Sequence, residues 1–310
     1  MKDNAERLAD GLADAHDQGL ADAGLGTIEF DASSIDVKRA AEVYQTHGCL
    51  VVRGLYHDHV AAIAADIETV CERATSLLND AVKIPEGWRT PDGTLWIPAP
   101  DGHVRDKQLM VIGLNYQTSS AFFRSALDTR ALDIVEAILG PDVELFMNGQ
   151  SLVKEPVGGH AKHMHQDSGY FEHRYQGPVA ILTYVVRTTY ENGALHVVPG
   201  SHRLGQLKHI DTSSHLGLDG KEWPIERGLR IDGDPGDAIF FHVKTIHGSP
   251  SNHSNAPRPV FIHRYRAAND YVVVSATNTE NRAAAERHIE EAKKENQLGL
   301  LVRGFRRDLR

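Results

Sequence analysis

Gly236-Asp237-Ala238-Ile239-Phe240-Phe241-His242 decides the fold class. Glycine and aspartate make the bend, and an apolar, aromatic run follows, so the stretch reads as a tight turn feeding a buried strand. Further on, Val260-Phe261-Ile262-His263-Arg264-Tyr265 reads as another strand, with side chains alternating between two faces. Working back from these two, runs of the same kind recur at 143–147, 150–154, 179–186 and 195–198, and once more at 271–275. Gly, Pro and Asn punctuate the gaps, and no long helix intervenes. Many short strands in succession predict an antiparallel barrel or jelly roll.

Before residue 143 the pattern is helical. Residues 35–45 read as a helix, followed by a Thr46-His47-Gly48 turn and a strand over 49–53. Val60, Ile63, Ile67, Val70 and Leu77 recur at helical spacing across 58–79. Residues 122–139 read as one more helix, stopped by Gly140-Pro141. Between them, 85–108 is dense in Pro, Gly and Trp and reads as a long loop. The expectation is a single mainly β domain with flanking helices. Its parts are an N-terminal arm over 1–35, helical and loop support with the first strands over 36–142, a jelly-roll core over 143–275, and a C-terminal helix and tail over 276–310, the polar helix itself spanning 278–297.

Composition narrows the function. The chain has 310 residues, 41% hydrophobic and 24% charged, enough to bury a core without disulfide or metal staples. No apolar run approaches the roughly 18 residues of a membrane span, and the start carries no apolar leader segment. A net charge of −9 without a basic run disfavours nucleic acid and membrane as partners and leaves a small molecule. The oligomeric state stays open, a homodimer included. Cys49 and Cys71 form no CxxC pattern and read as buried thiols of a cytoplasmic protein. Eighteen histidines against two cysteines direct any metal to nitrogen and oxygen ligands.

His165-Gln166-Asp167 puts an imidazole and a carboxylate on the same side of an extended backbone. A histidine from another strand would complete a facial triad of two histidines and one carboxylate, the pattern of non-haem Fe(II) oxygenases. His242 and His247 compete for that place. Arg258 decides between them: it follows His247 at short range and opens the next strand, where a guanidinium can grip a carboxylate bidentately. Ser249 could add a hydroxyl to the same carboxylate.

With these residues in place, the sequence resembles the phytanoyl-CoA dioxygenase family of iron(II)- and 2-oxoglutarate-dependent oxygenases. The resemblance spans roughly 40–265 and rests on His165-x-Asp167, on Asn192-Gly193-Ala194-Leu195-His196-Val197-Val198-Pro199-Gly200-Ser201-His202, and on Gly236-Asp237-Ala238 through His247-Gly248-Ser249 to Arg258. It implies a double-stranded β-helix (jelly-roll, cupin-like) core. It also implies Fe(2+) on His165, Asp167 and His247, with the distal carboxylate of 2-oxoglutarate on Arg258. O2 would be consumed, an unactivated C–H of a small metabolite hydroxylated or otherwise oxidised, and succinate and CO2 released. The ectoine hydroxylases of this family open the preceding strand with a Gln-Ser pair, which implies cosubstrate contacts at Gln150 and Lys154. This chain departs from them after Asp167, so their substrate does not carry over. Halogenating relatives lack the carboxylate, and Asp167 argues against that outcome.

Tyr170, Phe171, Arg174, Trp96 and Trp223 are the candidate substrate contacts. Trp96 belongs to the 85–108 loop, and Trp223 to a polar insertion over 204–228 read as a solvated loop over the barrel mouth. His160 and His163 beside His165 could suggest a histidine-only zinc site; they read instead as loop residues, as do His202, His209 and His215. The competing function is a redox-silent, cupin-like metal isomerase or a small-molecule-binding jelly roll, for which Arg258 would have no use.

Overall fold

The computed structural model describes residues 24–212, 216–273 and 296–307, with positions 290, 293 and 294. The expected arm up to residue 23, most of the 278–297 helix, His215 and residues 274–275 lie outside the described residues. The described chain begins with α1 (Leu25–Ile28) and β1 (Glu29–Asp31), the latter pairing in parallel with β2 (Cys49–Arg53). Between them α2 (Val37–His47) starts where the Asp36 carboxylate accepts the Arg39 N–H, and stops at left-handed Gly48. Any side chain at Gly48 would collide with His202 and Thr245, at φ +69°. α3 (His57–Ser76) buries Val60, Ile63, Ile67, Val70 and Ala74 along one stripe.

The 85–108 segment is not a loop. β3 (Val82–Ile84) comes just before it, and the segment itself forms β4 (Gly87–Arg89) and β5 (Leu95–Pro98) and enters β6 (Lys107–Ile112), so that the four strands make a meander. Trp88 stands opposite Trp96, and Lys83 and Lys107 lie over the Trp88 ring at 3.8 and 4.8 Å. Pro85, Pro91 and Pro100 fall outside the strands and Pro98 ends one, so little hydrogen bonding is lost. The single helix expected over 122–139 is two, α4 (Ser120–Ser125) and α5 (Thr129–Leu139). The Asp128 carboxylate accepts the Arg130 N–H, which caps a second start where one continuous helix was expected.

The remaining strands are β7 (Val143–Leu145), β8 (Gln150–Lys154), β9 (Lys162–His165), β10 (Val179–Tyr184), β11 (Leu195–Val197), β12 (Ile210–Asp211), β13 (Leu216–Gly217), β14 (Leu229–Ile231), β15 (Ala238–His242), β16 (His247–Ser249), β17 (Arg258–Ala267) and β18 (Leu301–Arg303). The major sheet runs β1-β2-β15-β10-β17-β8-β6-β5-β4-β3, with β7 beside β17 and β18 beside β7. The minor sheet runs β14-β11-β16-β9. This is the expected mainly β, jelly-roll architecture. Helices α2 and α5 pack against the outer face of the major sheet and α3 against β6. The main core gathers Tyr44, Ile63, Ile134, Phe240, Phe261 and Tyr265 there. The other face of the major sheet turns to the minor sheet, and the cavity lies between the two. Insertion 204–228 is packed, contrary to its polar composition: Leu204, Leu207, Trp223 and Ile225 close on buried Met164, Val198, Leu218 and Ile246. In its described residues the strand expected over 271–275 is only an isolated bridge of Val272 with His173, flanked by Arg174 N–H to the Tyr271 carbonyl and Val273 N–H to the Glu172 carbonyl.

Candidate active site

His165 and His247 are brought together by register. They stand opposite each other on antiparallel β9 and β16, with ring centroids 4.3 Å apart. His165 Nδ1 lies 2.8 Å from the His163 carbonyl, and His247 Nδ1 2.9 Å from the Thr245 carbonyl. A carbonyl only accepts, so each Nδ1 carries the proton and each Nε2 keeps its lone pair. Gln166 is extended, and the chain then turns, bringing Asp167 round to the same point. Asp167 Oδ1 is 3.8 Å from both Nε2 atoms, and one ligand atom from each residue falls within 4.8 Å of the others. Burial holds the His247 imidazole below its ordinary pKa and therefore neutral. Two imidazoles and one carboxylate, all buried, suit a divalent metal with open positions. His242 is no rival: it faces Tyr44 and His202, and burial drives its pKa down to about 3.

The far end of the cavity belongs to Arg258. It is buried between the sheets beside Ser249, and its Nη2 donates to the Gly193 carbonyl. Gly193 holds that carbonyl at φ +97°, where a side chain would strike Pro250 and Lys154. Among the described residues Arg258 Nε has no hydrogen-bond partner and no carboxylate lies within ion-pair distance. Burial lowers its pKa to about 10, so it remains a cation at neutral pH. A buried cation of this kind is costly unless an anion joins it. Lys154, opposite Arg258 in register, gives its ammonium to the carbonyls of His160 and Pro250, both at 2.6 Å, and of Ser249 at 3.4 Å. It lines the cavity but is already committed to backbone.

Two residues that the sequence reading missed complete the site. Arg264 donates to Asp167 Oδ2 through Nε and Nη2 at 3.4 and 3.3 Å, and to Gln150 Oε1 at 3.1 Å. Asp167 thus offers one oxygen to the histidines and the other to an arginine. Gln150, an expected cosubstrate contact, lines the cavity but holds Arg264. Lys162 lines the cavity at the level of Ser249, its register partner. The signal for Arg264 was there: counting by two from Arg258 along β17 leads to it.

The substrate candidates divide. Tyr170 borders the triad, its ring 6.4 Å from His165 and its hydroxyl bonded to Leu216. Phe171 lies under the Arg264 guanidinium at 5.6 Å. Trp96 is fully buried and gives its N–H to Thr90 Oγ1 at 3.4 Å, so it has no face for a substrate. Trp223 packs in the insertion with Arg227 over its ring at 4.4 Å, and Arg174 is exposed. None of the five lines the cavity itself; Tyr170 and Phe171 lie beside it, against His165 and Arg264. His163 is exposed, His202 bonds the Gln45 carbonyl, and His209 is buried where it accepts the Gln166 N–H, so none joins the metal cluster.

Residues 44–260 match the family profile described as phytanoyl-CoA dioxygenase (PhyH). The peroxisomal phytanoyl-CoA dioxygenase of Rattus norvegicus is 26% identical over 268 residues, which cover 82% of this chain and 75% of that protein. Among solved structures, the epimerase SnoN in complex with Fe3+, alpha ketoglutarate and nogalamycin RO aligns with a TM-score of 0.58 at 19% identity, covering 87% of this chain and 96% of that one. The non-heme alpha ketoglutarate dependent carbocyclase SnoK aligns with a TM-score of 0.57 at 18% identity, covering 82% and 92%. At such identity the structural likeness speaks to the fold alone, while the profile match spans most of the sequence and includes every residue of the triad. The chain therefore belongs to the phytanoyl-CoA dioxygenase (PhyH) family and is a non-haem iron, 2-oxoglutarate-dependent dioxygenase.

Proposed function

We propose that this dioxygenase oxidises an unactivated C–H bond of a small-molecule metabolite, by default to the alcohol, with release of succinate and CO2. His165, Asp167 and His247 would hold the iron, and Arg258 with Ser249 the distal carboxylate of 2-oxoglutarate. Bound there, Fe(II) would lift the spin restriction on O2 and couple decarboxylation of the keto acid to C–H oxidation. The protein's own part is positional and electrostatic. Backbone carbonyls set both imidazoles, Asp167 supplies the one negative charge, and Phe241, Leu182, Val260 and Ile262 line the cavity with apolar surface that excludes water. The carrying observation is the pairing of a convergent His-Asp-His cluster with a buried guanidinium that has no carboxylate partner among the described residues.

A redox-silent jelly roll would have no need of that guanidinium, and membership of the family removes this alternative. No helix among the described residues is long and apolar enough to cross a membrane. The free thiols of Cys49 and Cys71 support a reducing, cytoplasmic setting. The test is O2-dependent succinate formation from 2-oxoglutarate with Fe(II), lost on chelation and restored by iron. Iron-loaded protein that forms no succinate in the presence of O2 would sink the proposal.

A further inference from the structure

We propose that Lys162 is a second cationic anchor for the distal carboxylate of the cosubstrate, acting beside Arg258 and Ser249. The inference rests on the 2-oxoglutarate reading above and adds a residue to it.

Lys162 opens β9 and stands opposite Ser249, two residues beyond His247 on β16. The register shifts by one residue between the two pairs, so Lys162, three residues before His165, is carried opposite Ser249, which lines the cavity together with Arg258. Lys162, Ser249 and Arg258 all line the one cavity. Arg258 Nε there has no hydrogen-bond partner among the described residues, and the Ser249 hydroxyl and the Lys162 ammonium share the cavity with it. The third cation, Lys154, differs, because three carbonyls already take its donors. Its role is to shape this end of the cavity, while Lys162 has a charge to give.

Burial draws the Lys162 pKa down to about 8, against the opposing pull of the Asp167 charge, so the group is still mostly protonated at neutral pH. The charges of Arg258 and Lys162 both act on Lys154, and cations gathered in this way at one end of a cavity are stabilised when a carboxylate enters between them. The metal end already has Asp167 as its anion, so the vacancy in charge lies at the other end. A keto acid with a carboxylate at each end would satisfy both. One with a single carboxylate, at the metal, would gain nothing from Lys162.

The experiment uses the iron-loaded protein without O2, titrated calorimetrically with two keto acids. One is 2-oxoglutarate; the other is 2-oxobutanoate, which keeps the chelating end and lacks the distal carboxylate. Lys162→Ala and Lys162→Met should each weaken 2-oxoglutarate about tenfold or more, the worth of a charge-assisted hydrogen bond, and leave 2-oxobutanoate unchanged. Lys162→Arg should keep most of the affinity, and circular dichroism should show all three folded. Unchanged 2-oxoglutarate affinity in both neutral variants would overturn the role of Lys162, and so would equal losses for the two keto acids. Arg258→Ala separates the underlying reading: it should weaken 2-oxoglutarate alone. If it does and the Lys162 variants do not, only the second anchor fails; if Arg258→Ala changes nothing, both fall together.

Discussion

The two faces of β17 use similar residues for opposite ends. On the cavity face Arg258, Val260, Ile262 and Arg264 line the site. On the outer face Phe261, His263 and Tyr265 pack into the core that the helices cover. His263 sits with Ser125 Oγ at 2.8 Å from Nε2 and the Tyr116 hydroxyl at 3.1 Å from Nδ1, against the Phe122 ring at 4.7 Å. Ser125 already donates to the Phe122 carbonyl, so His263 Nε2 is the donor and Tyr116 donates to Nδ1. Burial pushes this imidazole down to about 3, and both its nitrogens are occupied by side chains. His165 and His247 are buried too, yet each spends one nitrogen on backbone and turns the other toward Asp167. Burial does not tell a structural histidine from a metal ligand; where the second nitrogen points does.

The strongest test of that contrast is Asp167. Asp167→Ala removes the only negative charge of the cluster, and iron binding and succinate formation should both fall nearly to nothing. Asp167→Glu keeps the charge on a longer arm, and displacement of that size costs about a hundredfold in rate. Both proteins should give a native circular dichroism spectrum. An Asp167→Ala protein that binds iron like the parent would break the comparison at its centre.

Arg264 comes next, as a positioning residue acting through Asp167. Removing a hydrogen-bond partner of a metal ligand typically costs about 10–100-fold in metal affinity. Arg264→Ala should therefore raise the iron dissociation constant by that factor, and Arg264→Lys should recover part of it. A purely structural arginine would shift the melting temperature and leave iron affinity in the folded fraction alone.

His263 supplies the other arm. His263→Ala leaves Tyr116 and Ser125 without their partner and opens a cavity beside Phe122, a combined loss of about 2–4 kcal/mol in denaturant unfolding. Succinate formed per folded, iron-loaded molecule should stay near that of the parent. Loss of iron from this variant while it remains folded would show that the two faces of β17 are coupled.

The residues legible in the sequence were those whose chemistry restricts their type. A metal needs His and Asp at the right spacing, and a charged Arg258 opening an apolar strand is conspicuous. Arg264 and Lys162 are as polar as any solvent-facing residue, and only strand register turns them inward. The meander of β3 to β5 was illegible for a different reason. Its strands are three or four residues long, too short to show a period of two, and the prolines and glycines that suggested a loop sit at its turns and strand ends. Insertion 204–228 misled through composition, since its few apolar side chains are the ones that pack.

The smallest effect tests that corrected segment. Trp96 was expected at the substrate and is instead a core residue, with no exposed surface and a long N–H bond to Thr90. Trp96→Phe keeps an aromatic ring opposite Trp88 but gives up the N–H and part of the ring volume. A weak hydrogen bond and a partly filled space are together worth about 1–2 kcal/mol, read as a lower urea midpoint at unchanged slope. A substrate contact would behave otherwise, because its loss raises KM for the substrate while stability holds. Trp96 is separated from the site by β6 and β8, so KM for 2-oxoglutarate and the rate of uncoupled succinate formation should both match the parent. A Trp96→Phe protein of full stability with impaired turnover would return this tryptophan to the substrate and reopen the meander as part of the pocket.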